Sequence, residues 1–272
     1  MRSSHLGQGC ISTKVIIAGI DMTDRLKNKI ALVTGAGGKI GKEIARQFAT
    51  EGASVACVDI NEQTAAETAN LIIQAGGHAR TYAVDIGNRQ NVLQLFEKMA
   101  GEFGGLDILV NNAMWIRYEP IEKVEEDTVE KMFSIGLKSI FWTVQAALPK
   151  LEERGGGSII NISSIAAIRG SVNRLLYCTI KGGVNAMTMQ CAVELGPRNI
   201  RVNAIAPGAV LHEASAARLG PELIQLRRDT TPLGRLPEAR DIASTALFLA
   251  SDDSRLVTGE LICVDGGRRI VS

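Results

Sequence analysis

Tyr177 and Lys181 stand four residues apart in a helical stretch of small residues, and Ser164 lies thirteen residues upstream of the tyrosine. Four-residue spacing on a helix puts two side chains on one face, so a phenol and an ammonium share a surface. A phenol titrates near ~10, and lowering that value by about 3 units takes roughly 4 kcal/mol in favour of the phenolate. A neighbouring ammonium supplies part of it. With a hydroxyl close by, the trio suits proton transfer at an alcohol or carbonyl oxygen, the chemistry of an oxidoreductase. The same spacing also occurs in helices that merely have one apolar and one solvated face, so it needs support from the rest of the chain.

That support lies near the amino end. Residues 29–33 (Lys-Ile-Ala-Leu-Val) read as a buried strand, 34–41 (Thr-Gly-Ala-Gly-Gly-Lys-Ile-Gly) as a glycine-rich turn and 42–51 as a helix. Glycines there let the backbone approach a pyrophosphate, whose charge faces the positive end of the helix. A second apolar strand at 54–58 ends at Asp59, eighteen residues after Gly41, where a carboxylate can accept both ribose hydroxyl hydrogens of an adenosine.

The positioning elements follow from alternating strand and helix signals. Further strands are predicted at 81–84, 106–110, 158–162, 200–205 and 260–264, with helices at 62–75, 89–103, 128–153, 176–195 and 239–250. Such alternation implies an α/β protein, a single-domain doubly wound Rossmann fold with a seven-stranded parallel sheet covered on both faces. Open sheets of this kind bind ligands at strand carboxyl ends, where Gly35, Asp59, Asp85, Asn111, Ser164 and Pro207 converge. The domain is read as 22–272. Residues 1–21 carry Arg2, Lys14 and a short apolar patch with no acid before Asp21; they are expected to form a flexible N-terminal extension outside the fold. Arg154-Gly155-Gly156-Gly157 is a loop rather than a linker.

Composition narrows the function. A chain of 272 residues that is 46% hydrophobic can bury a sizeable core. The net charge is +1 with basic residues spread along the chain, which gives no footprint for nucleic acid or an anionic membrane. No apolar run is long enough to span a bilayer. Cys10, Cys57, Cys178, Cys191 and Cys263 include no Cys-x-x-Cys pair and sit mostly in apolar runs, as reduced thiols of a cytoplasmic protein do. With only His5, His78 and His212 and no mixed cluster, no metal site is expected.

From about residue 25 to 267 the chain resembles the short-chain dehydrogenase/reductase family. The marks are Thr34-Gly35 and its glycine turn, Asp85, Asn111-Asn112-Ala113, Asn161-Ile162-Ser163-Ser164, Tyr177 with Lys181, Asn203-Ala204-Ile205-Ala206-Pro207-Gly208 and Val264-Asp265-Gly266-Gly267. The resemblance implies Tyr177 as general acid/base, Lys181 lowering its pKa and holding the nicotinamide ribose, and Ser164 bonding the reacting oxygen. Gly35 and Gly41 would line the pyrophosphate, Asp59 the adenosine ribose, Asp85 the adenine, and Asn111 the cofactor side of the fourth strand. Further implied cofactor contacts are Gly38, Lys39, Ile40, Ile60, Ile86, Asn112, Ala113, Pro207, Gly208 and Val210. A homotetramer is implied too, built on helices 128–153 and 176–195, where Ile140, Phe141, Trp142, Val144, Met187 and Met189 exceed what one sheet face needs.

The departures from the pattern are specific. Lys39 replaces the middle glycine of the loop, Met114 the glycine after Asn-Asn-Ala, Ser139 a common glycine, and His212 a threonine that usually contacts the nicotinamide amide. Gly136 stands where the family has an asparagine that helps hold a water in a relay from the lysine. Its carbonyl could still hold that water, so slower proton exchange is expected rather than loss of activity.

The reading is an NAD-dependent secondary-alcohol dehydrogenase or ketoreductase acting on a small-molecule alcohol or ketone. Asp59 would repel a 2′-phosphate and so favours NAD over NADP, with Lys39 the contrary hint. Segments 114–118, 165–176 and 209–226 should wall the pocket, the last as a lid. Trp115, Tyr118, Leu175 and Leu176 suit an apolar body, whereas Arg117, Arg169, Arg174 and His212 suit a carboxylate or polyol, although loop arginines are usually solvated. Two rivals stand: a nucleotide-binding regulatory protein with weakened catalysis, and a dehydratase or epimerase on the same scaffold.

Overall fold

The computed structural model describes residues 24–211 and 213–271, the side chains of 213–218 apart. The extension at 1–21, Cys10, His5 and His212 lie outside the described residues. The chain runs β1 (Ile30–Thr34), α1 (Lys39–Thr50), β2 (Ser54–Asp59), α2 (Glu62–Gln74), β3 (His78–Ala83), α3 (Arg89–Phe103), β4 (Ile108–Asn111), α4 (Glu126–Phe133), α5 (Ser139–Glu153), β5 (Gly157–Ile162), α6 (Leu175–Leu195), β6 (Ile200–Pro207), α7 (Glu213–Asp229), α8 (Ala239–Ala250) and β7 (Leu261–Val264). The seven strands form one parallel sheet in the order β3-β2-β1-β4-β5-β6-β7.

Strand residues alternate between two cores because successive side chains point to opposite faces. Ala31, Val33, Val55, Cys57, Ile108, Val110, Ile160 and Ile162 pack on the face covered by α1, α2 and α8. Ile30, Leu32, Ala56, Val58, Leu109 and Ile159 pack on the face covered by α3, α5 and α6. The direction of winding reverses between β1 and β4, and the glycine turn after β1 opens at that point.

Two boundaries differ from the sequence reading. β3 begins at His78 rather than 81, since an edge strand that leaves His78 and Arg80 exposed carries little apolar signal. β4 begins at Ile108, and just before it the side chain of buried Asp107 ties neighbouring segments together. Its carboxylate accepts the Ile30 N–H at 2.8 Å and pairs with Arg154 at 3.2 Å. Arg154 also donates to the Asn28 carbonyl at 3.2 Å, so a charge clamp closes the amino edge of the sheet.

The helix expected at 128–153 is two helices joined by a π turn, Ser134–Lys138, centred on buried Gly136. A π turn adds a residue to the helical repeat and is often found at functional sites. It re-phases α5, so Ile140 and Val144 enter the core, while Phe141 stays exposed.

Candidate active site

The carboxyl edge of the sheet opens into a cavity of about 1200 Å³ lined by Ser164, Tyr177, Ile40, Pro207, Gly208 and Val210 among others. Ser164 follows β5 in extended conformation, and its Oγ accepts the Ala166 N–H at 3.1 Å, which fixes the side chain at the start of a short 3-10 turn. Tyr177 lies in the first turn of α6, with the Ser164 hydroxyl near enough to act on its phenol. Burial pushes the phenol up to about 12, against the lowering effects of the Ser164 hydroxyl and the Arg174 charge. Lys181, one turn on, is buried, donates through Nζ to the Ile162 carbonyl at 2.6 Å and is brought down to about 8 by burial.

The electrostatics therefore differ from the simple picture of an ammonium lowering a phenol. Withdrawal from water opposes both charged forms. In this arrangement Tyr177 is a protonated acid, and the cations next to it are Lys181, turned to the β5 backbone, and Arg174.

The glycine turn has the shape that an anion needs. Gly35 takes φ +65°, a conformation that favours glycine, and a Cβ on Gly41 would collide with the Gly35 carbonyl. Gly38 caps α1 without any side-chain acceptor, leaving the first turn of a twelve-residue helix to present backbone N–H groups. Asn112 ties this loop to β4, donating to the carbonyls of Thr34 (2.9 Å) and Gly35 (3.1 Å). Asp59 accepts the Gly37 N–H at 3.0 Å and the Asn61 N–H at 3.1 Å, so the carboxylate sits at the loop where β2 ends. Lys39 donates to the Leu211 carbonyl and bridges the loop to the segment before α7. These residues fit a dinucleotide.

Other sequence-selected residues lie outside the cavity lining. Asn111 faces inward: Nδ2 donates to Asn161 Oδ1 at 2.9 Å, Thr143 donates to Asn111 Oδ1 at 2.7 Å, and Asn161 donates to Thr188 at 2.9 Å. That buried ladder stitches β4 and β5 to α5 and α6, and Thr143, Asn161 and Thr188 carried no signal in the sequence beyond being polar inside apolar runs. Asp85 is exposed and accepts the Gly87 N–H at 2.9 Å, Ile60 is 69% exposed, and Ile86 is buried in the core beyond β3. Ala113 donates its N–H to Thr34 Oγ1 at 3.2 Å. Trp115, Leu175 and Leu176 do not line the cavity; Lys131 stacks over the Trp115 ring at 4.4 Å. Arg227 and Arg268 do line it, and sequence reasoning missed both. The Asp265-Gly266-Gly267 turn after β7 was the available sign that the chain returns to this edge.

Gly136 is filled rather than open. A Cβ placed on it would meet Met114 Sδ at 2.5 Å and Ile180 Cγ2 at 2.9 Å. The thioether occupies the volume that a side chain at 136 would take, so the two departures, Met114 and Gly136, are complementary.

A doubly wound sheet with an anion-ready glycine turn beside a Ser-Tyr-Lys group defines a dinucleotide-dependent oxidoreductase. The family described as enoyl-(acyl carrier protein) reductase matches residues 35–269. The 7alpha-hydroxysteroid dehydrogenase of Escherichia coli K12 is 39% identical over 243 residues, 89% of this chain and 95% of that protein. The D-threitol dehydrogenase of Mycolicibacterium smegmatis is 37% identical, covering 92% and 96%. A solved structure of 7alpha-hydroxysteroid dehydrogenase, complexed with NADH and 7-oxo glycochenodeoxycholic acid, superposes with a TM-score of 0.86 at 39% identity over 89% of this chain and 95% of that one. The chain belongs to the short-chain dehydrogenase/reductase family and, with it, is an oxidoreductase.

Proposed function

We propose that this protein interconverts a secondary alcohol and a ketone by hydride transfer with NAD, using Ser164, Tyr177 and Lys181. The carrying observation is that Ser164 and Tyr177 stand together on the wall of a large cavity, with Lys181 buried one turn away. NAD, when bound, supplies or accepts the hydride at its nicotinamide ring. Gly35, Gly38 and Gly41 would hold its pyrophosphate at the α1 terminus, with Lys39 and Ile40 in that first turn. Asp59 and Ile60 would take its adenosine ribose, Asp85 and Ile86 its adenine, and Asn112, Ala113, Pro207, Gly208 and Val210 would frame the remainder.

In the reductive direction Tyr177, protonated at neutral pH, donates to the developing alkoxide while Ser164 holds that oxygen through a second hydrogen bond. In oxidation Tyr177 takes the hydroxyl proton, and with NAD bound Lys181 would hold the nicotinamide ribose and supply the charge that favours the phenolate. Residues 22–272 act as one catalytic domain in the cytoplasm. A homotetramer assembles through α5 and α6, where Phe141, Met189 and Val193 are 48%, 56% and 73% exposed; light scattering at micromolar concentration checks this, and a monomer would count against it. Among the described residues no helix is long and apolar enough to cross a membrane.

The test is Tyr177→Phe across a panel of alcohols and ketones, followed by nicotinamide absorbance. Turnover should fall by about 10² or more while NAD binding persists. A variant keeping over about a tenth of the wild-type rate would remove Tyr177 from the chemistry.

A further inference from the structure

The charged side chains lining the cavity, among the described residues, are all arginines: Arg117, Arg169, Arg174, Arg227 and Arg268. Two are already engaged. Arg117 pairs with Glu119 at 2.9 Å, and Arg169 donates to the Arg268 carbonyl at 2.7 Å. The other three have no carboxylate partner among the described residues. Arg174 lies over the Tyr118 ring at 4.6 Å, and that ring stands edge-on to Tyr177 with centroids 5.6 Å apart. Arg227 comes from α7 and lies close enough to Arg174 that burial and this second positive charge both disfavour its own. Arg268 closes the group from beyond β7 with a buried Nη1 that meets no hydrogen-bond partner. Two guanidiniums repelling across a partly buried cavity, beside a third with an orphaned donor, are an arrangement that an anion would stabilise.

The surrounding wall is apolar, formed by Ile116, Ile165, Val172, Leu211 and Leu219. We propose that this cavity selects an alcohol or ketone that carries a carboxylate on an apolar body, with the carboxylate held by Arg174 and Arg227 and supported by Arg268. The inference rests on the oxidoreductase reading of the same site. Arg174 and Tyr177 both contact the Tyr118 ring, so the carboxylate subsite lies close to the reacting oxygen. Arg174 and Arg227 are positioning residues here, acting on the carboxylate of the substrate.

The test uses the full-length enzyme with 4-oxocyclohexanecarboxylate and 3-benzoylpropionate, each beside its methyl ester. NADH consumption gives kcat/KM, and calorimetry on the NADH-saturated protein gives affinity. The acids should exceed their esters by roughly 10-fold to 100-fold, the worth of charge-assisted hydrogen bonds. Arg227→Gln and Arg174→Gln should bring that ratio toward one by raising KM for the acids, while Arg227→Lys keeps part of it. Circular dichroism of each variant confirms folding, and a variant that fails to fold is replaced by the Lys form. Esters reduced as well as acids by wild type would overturn the carboxylate subsite and leave the oxidoreductase reading intact. If no ketone is reduced, the redox reading is what suffers, and the calorimetric acid-to-ester ratio still decides the subsite: above about 10 it stands, near one it falls.

Discussion

The sulfur of Met114 sits where the side chain of residue 136 would be: a Cβ added to Gly136 would come within 2.5 Å of it, and within 2.9 Å of Ile180 Cγ2. Gly136→Asn alone should therefore overpack, at a cost of about 1 to 3 kcal/mol, which lowers the thermal midpoint by roughly 2–4 °C for each kcal/mol in a chain of this size. Adding Met114→Gly should recover most of the loss, because the second change removes the colliding thioether. Differential scanning calorimetry on the two single variants and the double decides it. Additive effects would mean that the two positions do not share a volume.

Asp59 holds the loop through Gly37 and lies at the end of β2. Asp59→Ala should shift the ratio of kcat/KM for NADP over NAD upward by about 10-fold or more, since a carboxylate both bonds a ribose diol and repels a phosphate. An unchanged ratio would show that the carboxylate serves the loop alone.

The buried lysine makes a pH signature. Lys181 titrates near about 8 in the folded chain against an ordinary value of 10.5, so between these values the unfolded chain binds the extra proton. Stability then rises with pH across that window: the cost of burying the ammonium is full below about 8 and gone above 10.5. Tyr177 acts in the opposite sense at higher pH, since its folded value of about 12 lies above the ordinary 10.0 and stability falls through that interval. Without added nucleotide, the thermal midpoint of wild type should climb relative to Lys181→Met between pH 8 and 10. Parallel curves for the two proteins would show that Lys181 is not desolvated.

Much of this architecture was legible in the chain. Core strands such as 54–58 and 158–162 are continuous apolar runs, and glycines at Gly35 and Gly41 announce a close turn. The Tyr177 and Lys181 spacing placed both groups on one helix, but the sequence could not show which way Lys181 Nζ turns, because the Ile162 carbonyl that receives it comes from another element. Asn111 was assigned to the wrong side for a related reason: its partners Asn161 and Thr143 lie fifty and thirty-two residues away. The helix at 128–153 hid its π turn, since Gly136 alone does not signal an added residue. Arg227 and Arg268 approach the cavity only through the path of α7 and the return after β7.

The clamp of Asp107 on Ile30 and Arg154 closes the edge of the sheet opposite to the cavity. The parts that keep the strands in register are thereby separated from the loops that meet substrate, and a lineage can exchange one set without disturbing the other. The arginine-bearing segments lie at the end of the strands opposite the clamp, so substitutions there leave the Asp107–Arg154 pairing untouched.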